Sequence, residues 1–303
     1  MTIIHLAMGM PEFDRACLQE GHAVLRLDWG SMDHDTRQRS IIENCYFLKA
    51  DVLFMQLQTP NVVDPSTLKE VREMGVMVIN WTGDVRDPIP QHYIDLAPHV
   101  DITAFTNHPD VLTMREMGFD ARFLQIGYDP LIYNTLYRPP CRPRVVFIGN
   151  DYRDRFPLSQ DRREKVDALH HAFRSDFHAY GKGFGKMVLK GTDAEVYKEA
   201  LIAINLDHFD RAGFFSDRYL RARACGAYTI NGTAMTTEQL IEEVRTALDN
   251  PAQTEALGME QADSTFANDR WNDRIQKIEN WWAPPYHIRA HGPMTDGMTA
   301  SKQ

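Results

Sequence analysis

Three stretches of the sequence carry residue types able to hold an anion, and all three lie beyond residue 144. At 145–155, VVFIGNDYRDR, an apolar run ends in Gly149 and is followed by Asn150, Arg153 and Arg155. Glycine there permits close backbone approach, and arginines neutralise a diphosphate through charge-assisted hydrogen bonds. The same letters also describe a glycine turn with a solvated charged loop. At 180–186, YGKGFGK sets three glycines beside Lys182 and Lys186. It is neither GxGxxG nor a Walker loop, so a nicotinamide or ATP site of the usual kind is not supported. It fits a loop wrapping a base or phosphate, and equally a flexible turn. At 214–231, FFSDRYLRARACGAYTIN, Ser216 or Asp217 can cap a helix whose first turn presents free N–H groups to an anion. The plain alternative is a helix–strand connection with Cys225 as a small buried hydrophobe. Arg162 and Arg163 open another helical pattern, where cations oppose the helix dipole; they are anion ligands or surface residues.

Such loops need a scaffold that brings strand ends and helix starts together. The chain has 303 residues, with 33 Lys and Arg against 42 Asp and Glu, 25% charged and 43% hydrophobic residues. That length fits about two domains, and the composition excludes a wholly disordered chain. A net charge of −9 weighs against a dedicated nucleic-acid binder, although a locally basic groove is compatible with it. No apolar run approaches the roughly 18 residues of a membrane span. The amino-terminal residues lack a basic signal region, and Cys17, Cys45, Cys141 and Cys225 have no CxxC spacing. A soluble, cytoplasmic protein without a disulfide framework or zinc site is the expectation.

Apolar, β-rich runs at 2–6, 23–27, 51–55, 76–81, 102–106 and 121–126 alternate with helical patterns, including one from Pro11 to just before Gly21 and others at 36–49 and 64–74. The rhythm restarts with strands at 144–148, 177–180, 201–206 and 227–231. Helices are expected at 161–173, 193–200, 216–225, 237–249 and 266–282. Near-continuous apolar strands separated by helices predict parallel sheets covered on both faces. Between the halves, NTLYRPPCRPR at 134–144 is a proline-rich hinge candidate. The fold class is therefore α/β: two Rossmann-like domains whose parallel sheets face each other across a cleft. The expected division is a first domain at 1–135, a linker at 136–144, a second domain at 145–286 ending in a crossing helix, and a flexible tail at 287–303. Ligands bind such sheets outside the carboxyl ends of the strands.

In their order and spacing these motifs resemble the GT-B glycosyltransferases, most nearly the CgeB-like branch (spore-maturation-protein type). SDRYLRARACGAYTI at 216–230 is similar to that family's donor-site helix, which reads roughly R-x-F-E-A-x-A-C-G-x-x-V. VVFIGN at 145–150, YGKG at 180–183, IAINL at 202–206, INWTGD at 79–84 and LQIGYD at 124–129 resemble the branch as well. The likeness spans roughly 2–282. It implies a nucleotide-diphosphate-sugar donor held by a nucleotide-sugar domain at 145–286, with 1–135 as the acceptor-side domain, UDP being favoured on family frequency alone. Ser216, Asp217 and Arg218 would meet the diphosphate, Gly149 and Asn150 would border it, and Arg153 would add charge. Tyr180, Gly181 and Lys182 would lie near the base. Two positions depart from the family: the helix glutamate that usually holds the ribose stands as Arg221, and the earlier carboxylate as Gly213. Rearranged sugar contacts are then expected, with Asp207, His208 or Asp210 as replacements. Arg221 would face a phosphate or a more anionic donor.

Asp84 lies just past a predicted strand end. In an inverting transferase a carboxylate there takes the proton of the acceptor hydroxyl; in a retaining one it would bind hydroxyls of the donor sugar. The plain alternative is a helix cap or an ion pair with Arg86. His108 is as readily a helix-entry residue as a catalyst, and Trp281, Trp282 and Tyr286 suit an anchor for a terminal helix. The twelve histidines form no HExxH or other metal spacing, so no metal and no cofactor beyond the donor is expected. The resemblance implies metal-independent hexosyl transfer to a hydroxyl acceptor: a glycan, a small molecule, a protein or a hydroxymethylated DNA base. The competing reading is a catalytically degenerate nucleotide-sugar binder or sensor.

Overall fold

A computed structural model describes residues 1–139, 142–185, 187–188 and 192–286. Cys141, Lys186, part of the expected linker and the expected tail at 287–303 lie outside the described residues. Strands β1 (Thr2–Leu6), β2 (Ala23–Leu27), β3 (Val52–Met55), β4 (Met77–Thr82), β5 (Ile102–Phe105) and β6 (Ala121–Phe123) form one parallel sheet in the order β2-β1-β3-β4-β5-β6. Strands β7 (Arg142–Ile148), β8 (Phe177–Tyr180), β9 (Ala200–Asn205) and β10 (Tyr228–Asn231) form a second parallel sheet in the order β10-β9-β7-β8.

Successive side chains of a strand point to opposite faces, so a fully apolar strand buries both. In the first sheet Ile3, Phe54, Ile79 and Trp81 enter one core cluster, while Ile4, Leu53, Met55 and Val78 enter another. Helix α1 (Pro11–Gln19) supplies Phe13 and Cys17 to the first cluster; α2 (His34–Phe47) and α3 (Pro65–Glu73) supply Ile41, Leu68 and Val71 to the second. Two short helices complete this half, α4 (Gln91–Leu96) and α5 (His108–Glu116). The second sheet is flanked by α6 (Ser159–Phe173), α7 (Asp193–Glu199), α8 (Asp217–Ala224) and α9 (Thr237–Asp249). Cys17, Cys45 and Cys225 are free, buried thiols. Among the described residues no helix is long and apolar enough to cross a membrane.

Three details differ from the sequence expectation. The single helix expected at 266–282 is two: α10 (Pro251–Asn268) and α11 (Trp271–Tyr286). The first escaped a hydrophobic-period reading because its buried positions are Thr254, Gly258, Ala262 and Thr265. They are small because α10 lies hard against the α8–β10 turn, where a Cβ on Gly258 would collide with the Gly226 carbonyl. Second, β7 takes in residues 142–144, which proline content had assigned to the linker. The ladder with β9 slips in register between Arg142 and Val145, at Pro143, which has no N–H to contribute. Third, the segment before the prolines already packs on the second sheet: Tyr128 and Tyr133 join its core cluster. Arg138 donates to the carbonyls of Lys198 and Ala200 at 3.2 and 3.0 Å.

The carboxyl-terminal helix α11 returns to the first sheet. Trp271, Ile275 and Ile278 are buried in its core with Phe13 and Trp81, and Trp281 and Trp282 pack at the margin. Trp271 meets Trp81 edge-on at 5.5 Å and Phe13 at 5.6 Å. Arg274, 3% exposed, donates to the Gln125 carbonyl at 2.9 Å and to Asp269 at 2.8 Å. Truncating Trp271 should destabilise the protein by about 3–5 kcal/mol, read as a lower denaturation midpoint of Trp271→Ala in urea. A midpoint unchanged from wild type would show that α11 contributes little to the first core.

Candidate functional site

The order of the second sheet reverses between the adjacent strands β7 and β9, so the chain leaves their carboxyl ends towards opposite sides, the place where such sheets form a crevice. Two adjoining cavities open there. The larger, of about 320 Å³, lies between the loop at 83–86 after β4 and the loops after β7 and β9; Asp84, Arg86, Arg155, Asp207, His208 and Ser216 line it. The smaller, of about 240 Å³, is lined by Gly149, Asn150, Gly181, Asp193 and Arg221. Asp217 and Arg218, in the first turn of α8, line both. Residues more than 60 positions apart thus converge on one helix start. Arg153, Tyr180 and Lys182 line neither cavity: Arg153 is exposed with its N–H on Asp151 Oδ1 at 2.7 Å, Tyr180 packs at the edge of a core cluster, and Lys182 points into solvent.

The glycine loops are shaped by packing. The Gly149 N–H donates to the Tyr180 carbonyl at 2.9 Å, and the Lys182 N–H to Asn150 Oδ1 at 3.0 Å, which zips the loop after β7 to the loop after β8. Gly181, at φ +119°, has no room for a Cβ beside the Gly149 carbonyl. A Cβ on Gly149 would collide with Arg162 Nη2. Ser216 occupies the N-cap position of α8, yet its hydroxyl donates to Asn205 Oδ1 at 3.0 Å and no side chain caps the helix. The N-terminal end of α8 therefore faces the cavities without a capping oxygen.

Both departures from the family pattern have a structural reason. Gly213 has φ +84°, and a Cβ there would stand 2.6 Å from the His108 ring. His108 is the first residue of α5, stacked on Phe123 at 4.3 Å. The loop carrying Gly213 is held to the first sheet by Gln125, which donates to the Gly213 carbonyl at 2.6 Å, and by an Arg211–Asp87 ion pair at 2.5 Å. Arg221, expected to face an anion, instead pairs with Asp217 at 2.9 Å and Asp193 at 3.4 Å and lies over the Tyr133 ring at 5.0 Å. Burial alone would lower its pKa, but Asp217, Tyr133 and Asp193 outweigh that and raise it. Its charge is consumed inside the protein.

Of the two readings open for Arg162, anion ligand or surface residue, the second is excluded. It is 1% exposed and lines neither cavity: its guanidinium lies behind Gly149, which does line the smaller one, and over Phe147 at 5.0 Å and Phe184 at 5.8 Å. One Nη meets His208 Nε2, while Nε and Nη2 have no hydrogen-bond partner among the described residues. Burial, reinforced by Arg218, pulls its pKa down to about 9. Asp207, 3% exposed, also keeps an unpartnered oxygen, Oδ1, 3.9 Å from Arg218. Burial and the nearby cations hold His208 neutral, with its pKa lowered to about 3. An unfolded histidine takes up a proton near pH 6.5, whereas folded His208 does not until about pH 3. This residue therefore stabilises the fold above pH 6.5, and that contribution is lost as pH falls towards 3. Wild type should lose more stability between pH 7 and 4 than His208→Gln, measured by urea unfolding; parallel losses would contradict this environment.

Asp84 faces this cluster from the first sheet. It meets Arg86 at 3.0 Å and accepts from Gln58 at 3.4 Å, so the ion pair and the cleft position coexist. Trp81 is no cleft residue: its Nε1 donates to the Leu124 carbonyl at 2.8 Å, and a Cβ on Gly83 would sit 2.6 Å from its ring. It seats the loop that carries Asp84. Among the described residues no group of three or more His, Cys, Asp or Glu is placed to hold a metal ion.

No family model matches the sequence, and no curated protein is similar to it in sequence. Solved structures are similar in fold. An α-glucosyltransferase in complex with UDP and a 13-mer DNA containing a central A:G mismatch superposes with a TM-score of 0.64 at 10% identity, over 93% of this chain and 99% of that one. A glycosyltransferase from Rickettsia africae ESF-5 gives 0.59 at 8% identity, over 93% and 97%. A UDP-GlcNAc 2-epimerase from Methanocaldococcus jannaschii gives 0.51 at 11% identity, over 93% and 100%. The chain has the GT-B fold, two parallel α/β sheets on either side of a cleft.

Proposed function

We propose that this protein is a glycosyltransferase that takes a sugar from a nucleoside diphosphate sugar, UDP-linked by preference, and passes it to a hydroxyl acceptor without a metal ion. The observation that carries the reading is Arg162: a fully buried arginine with two partnerless N–H-bearing nitrogens, against Gly149 and within the field of Arg218. Leaving a buried cation uncompensated is strongly unfavourable, so its retention fits a ligand anion as counter-charge. Arg162, Arg218 and the uncapped start of α8 would together stabilise the departing diphosphate. The sugar would lie in the larger cavity between Asp207 and Asp84, with Asp84 positioned to receive the acceptor's proton or to hold a donor hydroxyl.

A second reading, a nucleotide-sugar binder without transfer, is favoured by Gly213 and Arg221 at the family's two carboxylate positions. The two separate in one experiment: incubation with UDP-, GDP- and ADP-sugars, followed by thermal shift and by assay of released nucleoside diphosphate. Transfer activity predicts slow release to water with at least one donor. Stabilisation by a donor with no release over hours supports the binder, and no response to any donor overturns both.

A further inference from the structure

The smaller cavity holds an arrangement that goes beyond diphosphate binding. Asp193 opens α7 with its side chain 11% exposed. Tyr133, from the segment that crosses between the two sheets, donates to it, its hydroxyl 3.0 Å from each carboxylate oxygen. Arg221 reaches Asp193 Oδ2 at 3.4 Å from the other side. Burial raises the Tyr133 pKa, and the carboxylate beside it adds to that, so its hydroxyl remains a donor at any ordinary pH. Asp193 is thus held in one orientation and lines the cavity. A carboxylate offers about four acceptor sites; the Tyr133 hydroxyl and the Arg221 contact leave capacity for a ligand.

We propose that Asp193 receives the ribose 2′,3′-diol of the donor, with Tyr133 and Arg221 as its positioning residues, and that the site therefore selects ribonucleoside over 2′-deoxyribonucleoside diphosphate donors. The inference rests on the donor reading above. A diphosphate at the start of α8 places the adjoining sugar in the smaller cavity, because Asp217 and Arg218 border both spaces. A vicinal diol presents two O–H donors, and a buried acceptor-only carboxylate is the group that recognises it in dinucleotide-binding α/β sheets. Asp217, the other carboxylate there, begins α8 itself and is engaged by Arg221 at 2.9 Å. That leaves Asp193 for the diol. Sugars carried on deoxythymidine diphosphate lack the 2′-hydroxyl and would be poor donors.

The test is calorimetric binding of UDP, 2′-deoxy-UDP, GDP and 2′-deoxy-GDP to wild type and Asp193→Asn. Wild type is expected to prefer the ribonucleotide by about tenfold or more, the scale of one hydrogen bond to a charged group. Asp193→Asn should bring the ratio to within about twofold. Equal binding of UDP and 2′-deoxy-UDP by wild type overturns the inference while leaving the donor reading in place, and that comparison needs no variant to fold. A ratio kept at the wild-type value in Asp193→Asn overturns it too. No binding of any of the four nucleotides overturns the donor reading and this inference with it.

Discussion

Arg162→Met is expected to weaken UDP binding by about 100-fold, the combined scale of two charge-assisted hydrogen bonds, while its melting temperature stays level or rises. The two effects come from one cause. In the free protein Arg162 is 1% exposed and two of its nitrogens lack partners. Such a group is destabilising, and a methionine of similar length would pack against Phe147 and Phe184 without desolvating a charge. With the ligand bound, the same nitrogens would gain an anion in a site of low dielectric, where the interaction is strong. Calorimetry with UDP and a thermal melt on the same preparation read both. Wild-type affinity in the variant would remove Arg162 from the site. A large fall in melting temperature would show that its contacts with His208 and the aromatic rings stabilise the free fold.

Arg162 also marks where sequence reading stops. The central strands were legible because parallel strands covered on both faces are buried along their whole length; 51–55, 76–81 and 201–206 match β3, β4 and β9 to within one residue. The α8 start was legible because Ser-Asp opening a helical run is a local pattern, and Asp217 and Arg218 do border both cavities. Arg162 had only the helix-dipole argument, in which a cation near a helix start looks misplaced. Its meaning appears once α6 turns it under Gly149, a contact between elements rather than a motif. Asp193 is similar, since its partners Tyr133 and Arg221 come from segments 60 and 28 positions away. Arg221 shows the converse: an arginine at a donor-site position suggests an anion, and only the structure shows two carboxylates already holding it. The loop glycines were noticed for the right reason, close approach, but what approaches Gly149 is a buried guanidinium and what approaches Gly181 is another loop's carbonyl.

Asp84→Asn is expected to lower the turnover of sugar transfer by about 100-fold or more, the lower end of what a positioned general base contributes, while leaving UDP affinity within about twofold of wild type. The split follows from where the residue sits. Asp84 belongs to the loop after β4 in the first sheet, whereas Arg162, Arg218 and α8 belong to the second, so the variant leaves the proposed diphosphate partners untouched. Three roles remain open to a carboxylate in that place, and each leaves a different trace. A base for the acceptor gives low turnover with normal binding of both UDP and the intact UDP-sugar. A receptor for a donor-sugar hydroxyl gives normal UDP binding but weaker binding of the UDP-sugar, and it belongs with a retaining reaction, recognisable by the anomeric configuration of the product in proton NMR. A partner for Arg86 alone leaves transfer unchanged in Asp84→Asn, because the amide still offers Arg86 an oxygen at the 3.0 Å now spanned by the ion pair. The first outcome is the one expected here: the pair with Arg86 holds the carboxylate at the cleft wall through only one of its oxygens, and Oδ1 has no contact with Arg86 or Gln58. Full activity in the asparagine variant would reduce Asp84 to a structural ion pair and shift the search for a base to Asp207, whose unpartnered Oδ1 borders the same cavity.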